Sequence, residues 1–259
     1  MNRIAVHQSV LHPLDPVELV TLAEQAGVDS IGLHVASVEE VEPWWVKGIG
    51  SEMLRALVDA LLASRVTVLD VGRVRLGPEL RVWDGGHAYA RALELGVRLG
   101  AQFVTARADP GVADDPAELF AVLDELAARY RLRPLLAVVP GTPAGTVDQA
   151  IDVVGATRGG LVLDVSPQRQ RADEVDEAVL GLGDQLGYVR LPAHELIADH
   201  AAGLLATLPP QVPVAIGEAP AVRDATTTAA GADSGDPLAR LTALRAAVDA
   251  LLRHPRASR

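Results

Sequence analysis

Eight side chains able to move protons or hold anions sit where short apolar runs end: His7, His34, Arg75, Arg107, Asp164, Arg190, His194 and Glu218. Arg73 and Asp109 stand beside Arg75 and Arg107 in the same positions. A charge at the end of an apolar run must face an opening or find a partner, because isolated burial costs several kcal/mol. Asp164 and Glu218 form a candidate carboxylate pair, which would hold a divalent ion or divide into acid and base. Arg190 falls between them in the chain and would neutralise them or grip an anion with two parallel N–H bonds. Arg107 and Arg75 add positive charge, and His7, His34 and His194 add imidazoles at or just beyond strand ends. Asp164, Glu218 and His34 are therefore expected to be catalytic. Arg190, Arg107, Arg75, His7 and His194 are expected to bind substrate. The expected ligand is small and anionic or polyhydroxylated.

Other chemistries lack their signatures. There is no HExxH, HxxEH or HxH spacing for zinc and no GxSxG nucleophile elbow. Cysteine is absent, which removes a thiol nucleophile and any thiolate metal site. Lys47 is the only lysine, so a Schiff-base lysine or a P-loop lysine has no candidate elsewhere. No glycine-rich phosphate loop occurs in Pro192–Glu195 or Ala219–Val222.

Elements must carry these residues to one place. Nearly continuous apolar runs predict strands at Ile4–His7, Ser30–Val35, Val66–Val71, Gln102–Arg107, Pro134–Val138, Gly160–Asp164, Gly187–Leu191 and Val212–Ile216. Such runs mark strands of a parallel sheet buried on both faces. Helical periodicity fills the intervals: Asp15–Ala26, Ser51–Ser64, Asp84–Leu99, Pro116–Tyr130, Thr146–Gly155, Asp173–Leu182, His200–Leu208 and Pro237–Leu252. Several begin on a capping residue, among them Asp15, Asp115 and Asp236. Eight strand–helix pairs in 259 residues predict a single-domain α/β protein, a (β/α)8 TIM barrel. An open Rossmann sheet would place glycines after the first strand, and Val6–Leu14 has none. In a barrel the carboxyl ends of the strands form the active face. The small, polar stretch 221–236 reads as a flexible connector, and Trp44-Trp45 as a loop anchor or pocket wall on the same face.

Composition agrees with a globular protein. The chain is 49% hydrophobic and carries a net charge of −11. An acidic chain without basic runs is a poor nucleic-acid ligand. No uncharged apolar run approaches the ~20 residues of a membrane span. The N-terminal residues lack a signal-peptide pattern, so the expectation is a cytoplasmic protein with a small-molecule substrate and, as a possibility the sequence leaves open, a homo-oligomer.

An ordered set of segments resembles the sugar phosphate isomerase/epimerase family, the xylose isomerase-like barrels. These are Glu24–Leu33 (EQAGVDSIGL), Val66–Leu76 (VTVLDVGRVRL), Leu95–Val104 (LGVRLGAQFV), Arg133–Thr142 (RPLLAVVPGT), Gly160–Asp164 (GLVLD), Gly187–Leu191 (GYVRL) and Pro213–Pro220 (PVAIGEAP). The resemblance implies a TIM barrel, isomerisation, epimerisation or dehydration of sugars or keto acids, and commonly a manganese, magnesium or zinc ion. In the family that ion is held at the ends of strands five to eight. Asp164 and Glu218 match the strand-six and strand-eight carboxylates. Ala137 stands where strand five supplies a Glu, and Arg190 where strand seven supplies a His or Gln. Pro167 replaces a family histidine, and the stretch Ala201–Pro213 is too short for the family's Gly-Glu-Gly loop.

Arginine stays protonated and repels a divalent ion. The expectation is therefore proton transfer without a metal cofactor, with Arg190 supplying the positive charge. Two rival readings follow from the same residues. One is a non-catalytic relative that binds a small molecule or a partner. The other is a metal-dependent isomerase with rearranged ligands drawn from Asp164, Glu218, His34 or His194.

Overall fold

Alternation along each strand sorts apolar side chains onto two faces, and both faces are buried. The computed structural model describes residues 2–11, 14–35, 52–81, 86–168, 170–196, 203–217 and 236–253. Its strands are β1 (Ile4–His7), β2 (Ser30–His34), β3 (Thr67–Leu76), β4 (Phe103–Ala108), β5 (Arg133–Ala137), β6 (Gly160–Asp164), β7 (Leu186–Pro192) and β8 (Val214–Gly217). They pair in parallel in chain order, and β8 closes on β1 through Ile4–Val214 to Val6–Ile216. The result is the closed TIM barrel expected from the sequence.

Two cores follow from the alternation. Val6, Ile31, Val104, Leu136, Leu161, Val189 and Ile216 belong to the large cluster that also holds the helices' apolar residues. Ala5, Leu69, Leu135, Val162, Tyr188 and Ala215, with Phe103 against them, form a separate small cluster, the plug inside the barrel. Each large apolar side chain so buried contributes roughly 1.5–3 kcal/mol.

Seven α-helices lie among the described residues: α1 (Pro16–Gln25), α2 (Glu52–Ala63), α3 (Gly86–Arg98), α4 (Pro116–Arg129), α5 (Val147–Val154), α6 (Ala172–Leu182) and α7 (Pro237–Leu252). The expected caps form. Asp15 accepts from the Glu18 amide, Asp115 from Ala117 and Asp236 from Leu238, each ahead of a proline in the first turn. Thr146 and Gln149 close a reciprocal capping box on α5. Replacing Thr146 by Ala should cost about 1 kcal/mol and lower Tm by roughly 2–4 °C in calorimetry. An unchanged Tm would show that the cap bonds add nothing beyond what water supplies.

Two elements differ from expectation. β3 runs on to Leu76 rather than ending at Val71, so Arg75 lies within a strand and pairs in register with Arg107. The polar residues beyond Val71 hid this extension, because continuous apolarity marks only the part buried on both faces. The helix expected at His200–Leu208 does not form over 203–208, which is a series of turns. Gly203 adopts a φ of 90°, and the amides of Gly203 and Leu205 bond to the carbonyls of Ala250 and Leu251 at the end of α7. Pro209 and Pro210 follow and cannot extend a helix. The stretch 221–235, Trp44-Trp45, Glu218, His12, His200 and His254 lie outside the described residues. No helix among the described residues is long and apolar enough to cross a membrane.

Candidate functional site

Successive inward positions on a strand are two residues apart. Two residues beyond the plug therefore lies the next inward layer, at the carboxyl ends of the strands. Ala5 leads to His7, Phe103 to Thr105, Leu135 to Ala137, Val162 to Asp164, Tyr188 to Arg190 and Ala215 to Gly217. This layer is polar where the one below is apolar. It borders a cavity of about 10 Å3 lined by His7, Gly32, Leu33, His34, Asp70, Gly72, Thr105 and Arg190.

Asp70 enters the layer by a different route. Ile31 of β2 faces Val68, but the next residue, Gly32, faces Asp70. The extra residue is a β-bulge, and it turns Asp70 inward directly after inward-facing Leu69. Asp70 is buried. Its Oδ2 accepts from the hydroxyls of Thr105 and Tyr188, each at 3.0 Å. Its Oδ1 stands 3.3 Å from His7 Nε2. Burial pushes the Asp70 carboxyl up, but the charge of the neighbouring imidazole and the two hydroxyls outweigh it and hold the group below its usual range. Burial first, and then the Asp70 charge, push the Tyr188 phenol well above its usual value, so it remains a neutral donor. The His7 and Tyr188 rings meet edge to face, with centroids 5.9 Å apart.

Glycines make room for this group. A methyl group on Gly32 would overlap His7 and the Asp70 carboxylate, and one on Gly72 would overlap the Thr105 hydroxyl. A methyl on Gly217 would press to 3.0 Å from both His7 Nδ1 and Arg190 Cδ.

On the neighbouring strands Asp164 and Arg190 stand in register. Arg190 Nε donates to Asp164 Oδ1 at 2.5 Å and Nη2 to Oδ2 at 2.7 Å, a two-pronged ion pair. The Arg190 side chain is 3% exposed and that of Asp164 28% exposed, so the cation is the buried member. Burial would lower the Arg190 pKa, but the Asp164 charge and hydrogen bonds prevail and raise it.

The other expected residues divide into two groups. His34 ends β2 and lines the cavity, and its backbone amide donates to Gln8 Oε1 at 3.3 Å. Arg75 pairs on the rim with Glu79 and Asp109, each at 3.4 Å. Arg107 is its register neighbour, and neither lines the cavity. His194 sits in a 3-10 turn after β7 with its side chain largely exposed. Its neighbour Glu195 is buried and ties β7 to the loop after β6, accepting from Ser166 Oγ at 2.5 Å. Sequence reasoning missed Asp70 and Tyr188. The one signal available was a carboxylate inside the apolar run Val66–Val71.

No protein-family model and no curated protein matches the sequence. Solved structures match its fold. A IolI protein with a bound zinc atom is 14% identical, with a TM-score of 0.64 over 97% of this chain and 98% of that one. A xylose isomerase domain protein from Alicyclobacillus acidocaldarius is 15% identical, with a TM-score of 0.63 over 96% of this chain and 98% of that one. Endonuclease IV from Thermus thermophilus is 17% identical, with a TM-score of 0.60 over 95% of this chain and 99% of that one. The fold neighbours are thus xylose isomerase-like TIM barrels of more than one activity, and the fold alone does not select among their chemistries.

The described residues at the carboxyl ends of β5, β6 and β7 do not fit a divalent ion. Among the described residues no group of three or more His, Cys, Asp or Glu side chains is arranged to hold a metal. Ala137 offers no donor atom, and both oxygens of Asp164 are engaged by a guanidinium.

Proposed function

We propose that this barrel is an isomerase- or epimerase-type enzyme that moves a proton on a small, oxygenated, anionic substrate, with the Arg190 cation in the place of a metal. The observation that carries this reading is the two-pronged Asp164–Arg190 pair at the carboxyl ends of β6 and β7. Removing a proton beside a carbonyl creates an enolate, and a fixed positive charge is what that transition state needs. Asp164 fixes the guanidinium through Nε and Nη2, which leaves Nη1 as the nitrogen for the ligand. A preorganised cation does not have to reorient as charge develops.

Asp164, expected to be an acid or base, is better used as the group that holds Arg190. Proton transfer then falls to the imidazoles of His7 and His34, which line the same cavity, with Glu218 as a further candidate from the sequence. Arg75, Arg107 and His194 remain outer candidates for steering an anion toward the mouth.

The test is solvent isotope exchange. Small 2-keto acids, 2-hydroxy acids and sugars are incubated with the protein in D2O containing a chelator, and carbon-bound deuterium is followed by NMR. Exchange beside the carbonyl should occur with the chelator present and fall at least 100-fold in Arg190→Met. Exchange only after manganese, magnesium or zinc is supplied would restore the metal-dependent reading. Binding without exchange would favour the non-catalytic one, which the loss of family ligands also supports.

A further inference from the structure

Two buried polar side chains that line the cavity stand as a close ion pair whose facing atoms lack a well-formed hydrogen bond. His7 is 5% exposed and Asp70 3% exposed. His7 Nε2 and Asp70 Oδ1 are 3.3 Å apart, yet neither makes a hydrogen bond to a described residue. The surroundings show how the condition is kept. Thr105 and Tyr188 both donate to Oδ2, so Oδ1 is the acceptor left over. Gly32 gives the pair its space, since any side chain there would fill it.

We propose that His7 and Asp70 form a seat for one hydroxyl of the ligand and are specificity-determining residues of the site. A hydroxyl is the smallest organic group that donates and accepts through one heavy atom. Its O–H would donate to Asp70 Oδ1, and its oxygen would accept from His7 Nε2–H. The cavity of about 10 Å3 is close to the room that one such atom needs. Arg190 borders the same cavity, so the hydroxyl belongs to a ligand whose anionic group lies within a few bonds, a 2- or 3-hydroxy acid. A site built around a hydroxyl discriminates strongly against the analogue that lacks it, because its own polar atoms are then buried unpaired. This inference rests on the reading of Arg190 as the anion-binding group.

The test compares acid pairs that differ by hydroxylation: glycolate against acetate, and glycerate against propanoate. Binding to the full chain is measured by ligand-observed NMR titration. The hydroxy acids should bind at least tenfold more tightly than their partners. In Asp70→Asn the two hydroxyl donors hold the amide oxygen and turn the amide N–H toward the seat, so the preference should shrink to about twofold. Arg190→Met should weaken all four acids alike. Equal affinity within each pair, or no binding of any of the four, overturns the proposal. The comparison on the unsubstituted protein decides this even where a variant fails to fold. A hydroxyl preference without deuterium exchange would sink the proton-transfer reading and leave the seat standing. Exchange with no hydroxyl preference would do the reverse.

Discussion

Asp164→Ala should destabilise the protein more than Arg190→Met, although both break the same ion pair. Removing the carboxylate leaves a guanidinium that is 3% exposed with no bidentate partner. Stranding a buried charge in this way costs about 3–5 kcal/mol. The Asp70 charge nearby also favours the guanidinium, which places the expected loss near the lower end, about 3 kcal/mol. For a chain of this size that is a fall of roughly 6–12 °C in Tm. Removing the arginine instead leaves Asp164, which is 28% exposed and can recover water. That substitution should cost about 1–2 kcal/mol, since a methionine stem keeps most of the packing. Thermal and urea unfolding of both variants at neutral pH measure the order. The reverse order would mean that Asp164 is the desolvated partner and that Arg190 is not the site's fixed cation.

The same asymmetry bears on function. An arginine that is held by a partly exposed carboxylate is a charge fixed in direction, with one nitrogen still uncommitted to the pair. At the matching places a metal-holding barrel would need acceptors, and Ala137 and Arg190 supply none. In the proposed reaction the proton transfer falls to His7 and His34, which line the cavity with Asp70 and Thr105 on strands β1 to β4.

How much of this was legible in the sequence follows from what periodicity measures. The eight strands were visible because burial on both faces leaves unbroken runs of Val, Ile and Leu. The helix starts at Asp15, Asp115 and Asp236 were visible because orphan amides demand acceptors there. Asp164, Arg190, His7 and His34 were visible because a polar residue at the end of such a run must face the mouth. Asp70 was hidden by the bulge opposite Ile31-Gly32. Strict alternation assigns Leu69 inward and Asp70 outward, and only the inserted residue reverses the second assignment. Arg75 was placed at the mouth because its ion partners Glu79 and Asp109 lie on separate loops whose approach no local pattern encodes. The turns over 203–208 were read as helix because their leucines are spaced like one, while the bonds that hold them come from α7, more than forty residues away.

Asp70→Ala should be among the most destabilising single substitutions in the barrel interior, and Asp70→Asn should isolate its charge. The alanine variant leaves the Thr105 and Tyr188 hydroxyls buried without their acceptor, at about 1–3 kcal/mol each. It also removes a charge that favours the Arg190 cation. A loss of about 3–5 kcal/mol at neutral pH is expected. The asparagine variant keeps an oxygen for both hydroxyls and loses only the charge, so its loss should be smaller. Acid then separates the contributions. The folded-state pKa of Asp70 lies below the ordinary value of about 3.8, so the carboxylate favours the folded state at every pH above that value. That contribution fades as pH falls through the lower, folded-state value, where both states carry the proton. The stability gap between the native protein and Asp70→Asn should therefore close progressively below about pH 4. Urea unfolding across that range measures it. A gap that widens in acid would mean that desolvation controls Asp70 and that its partners do not hold it ionised.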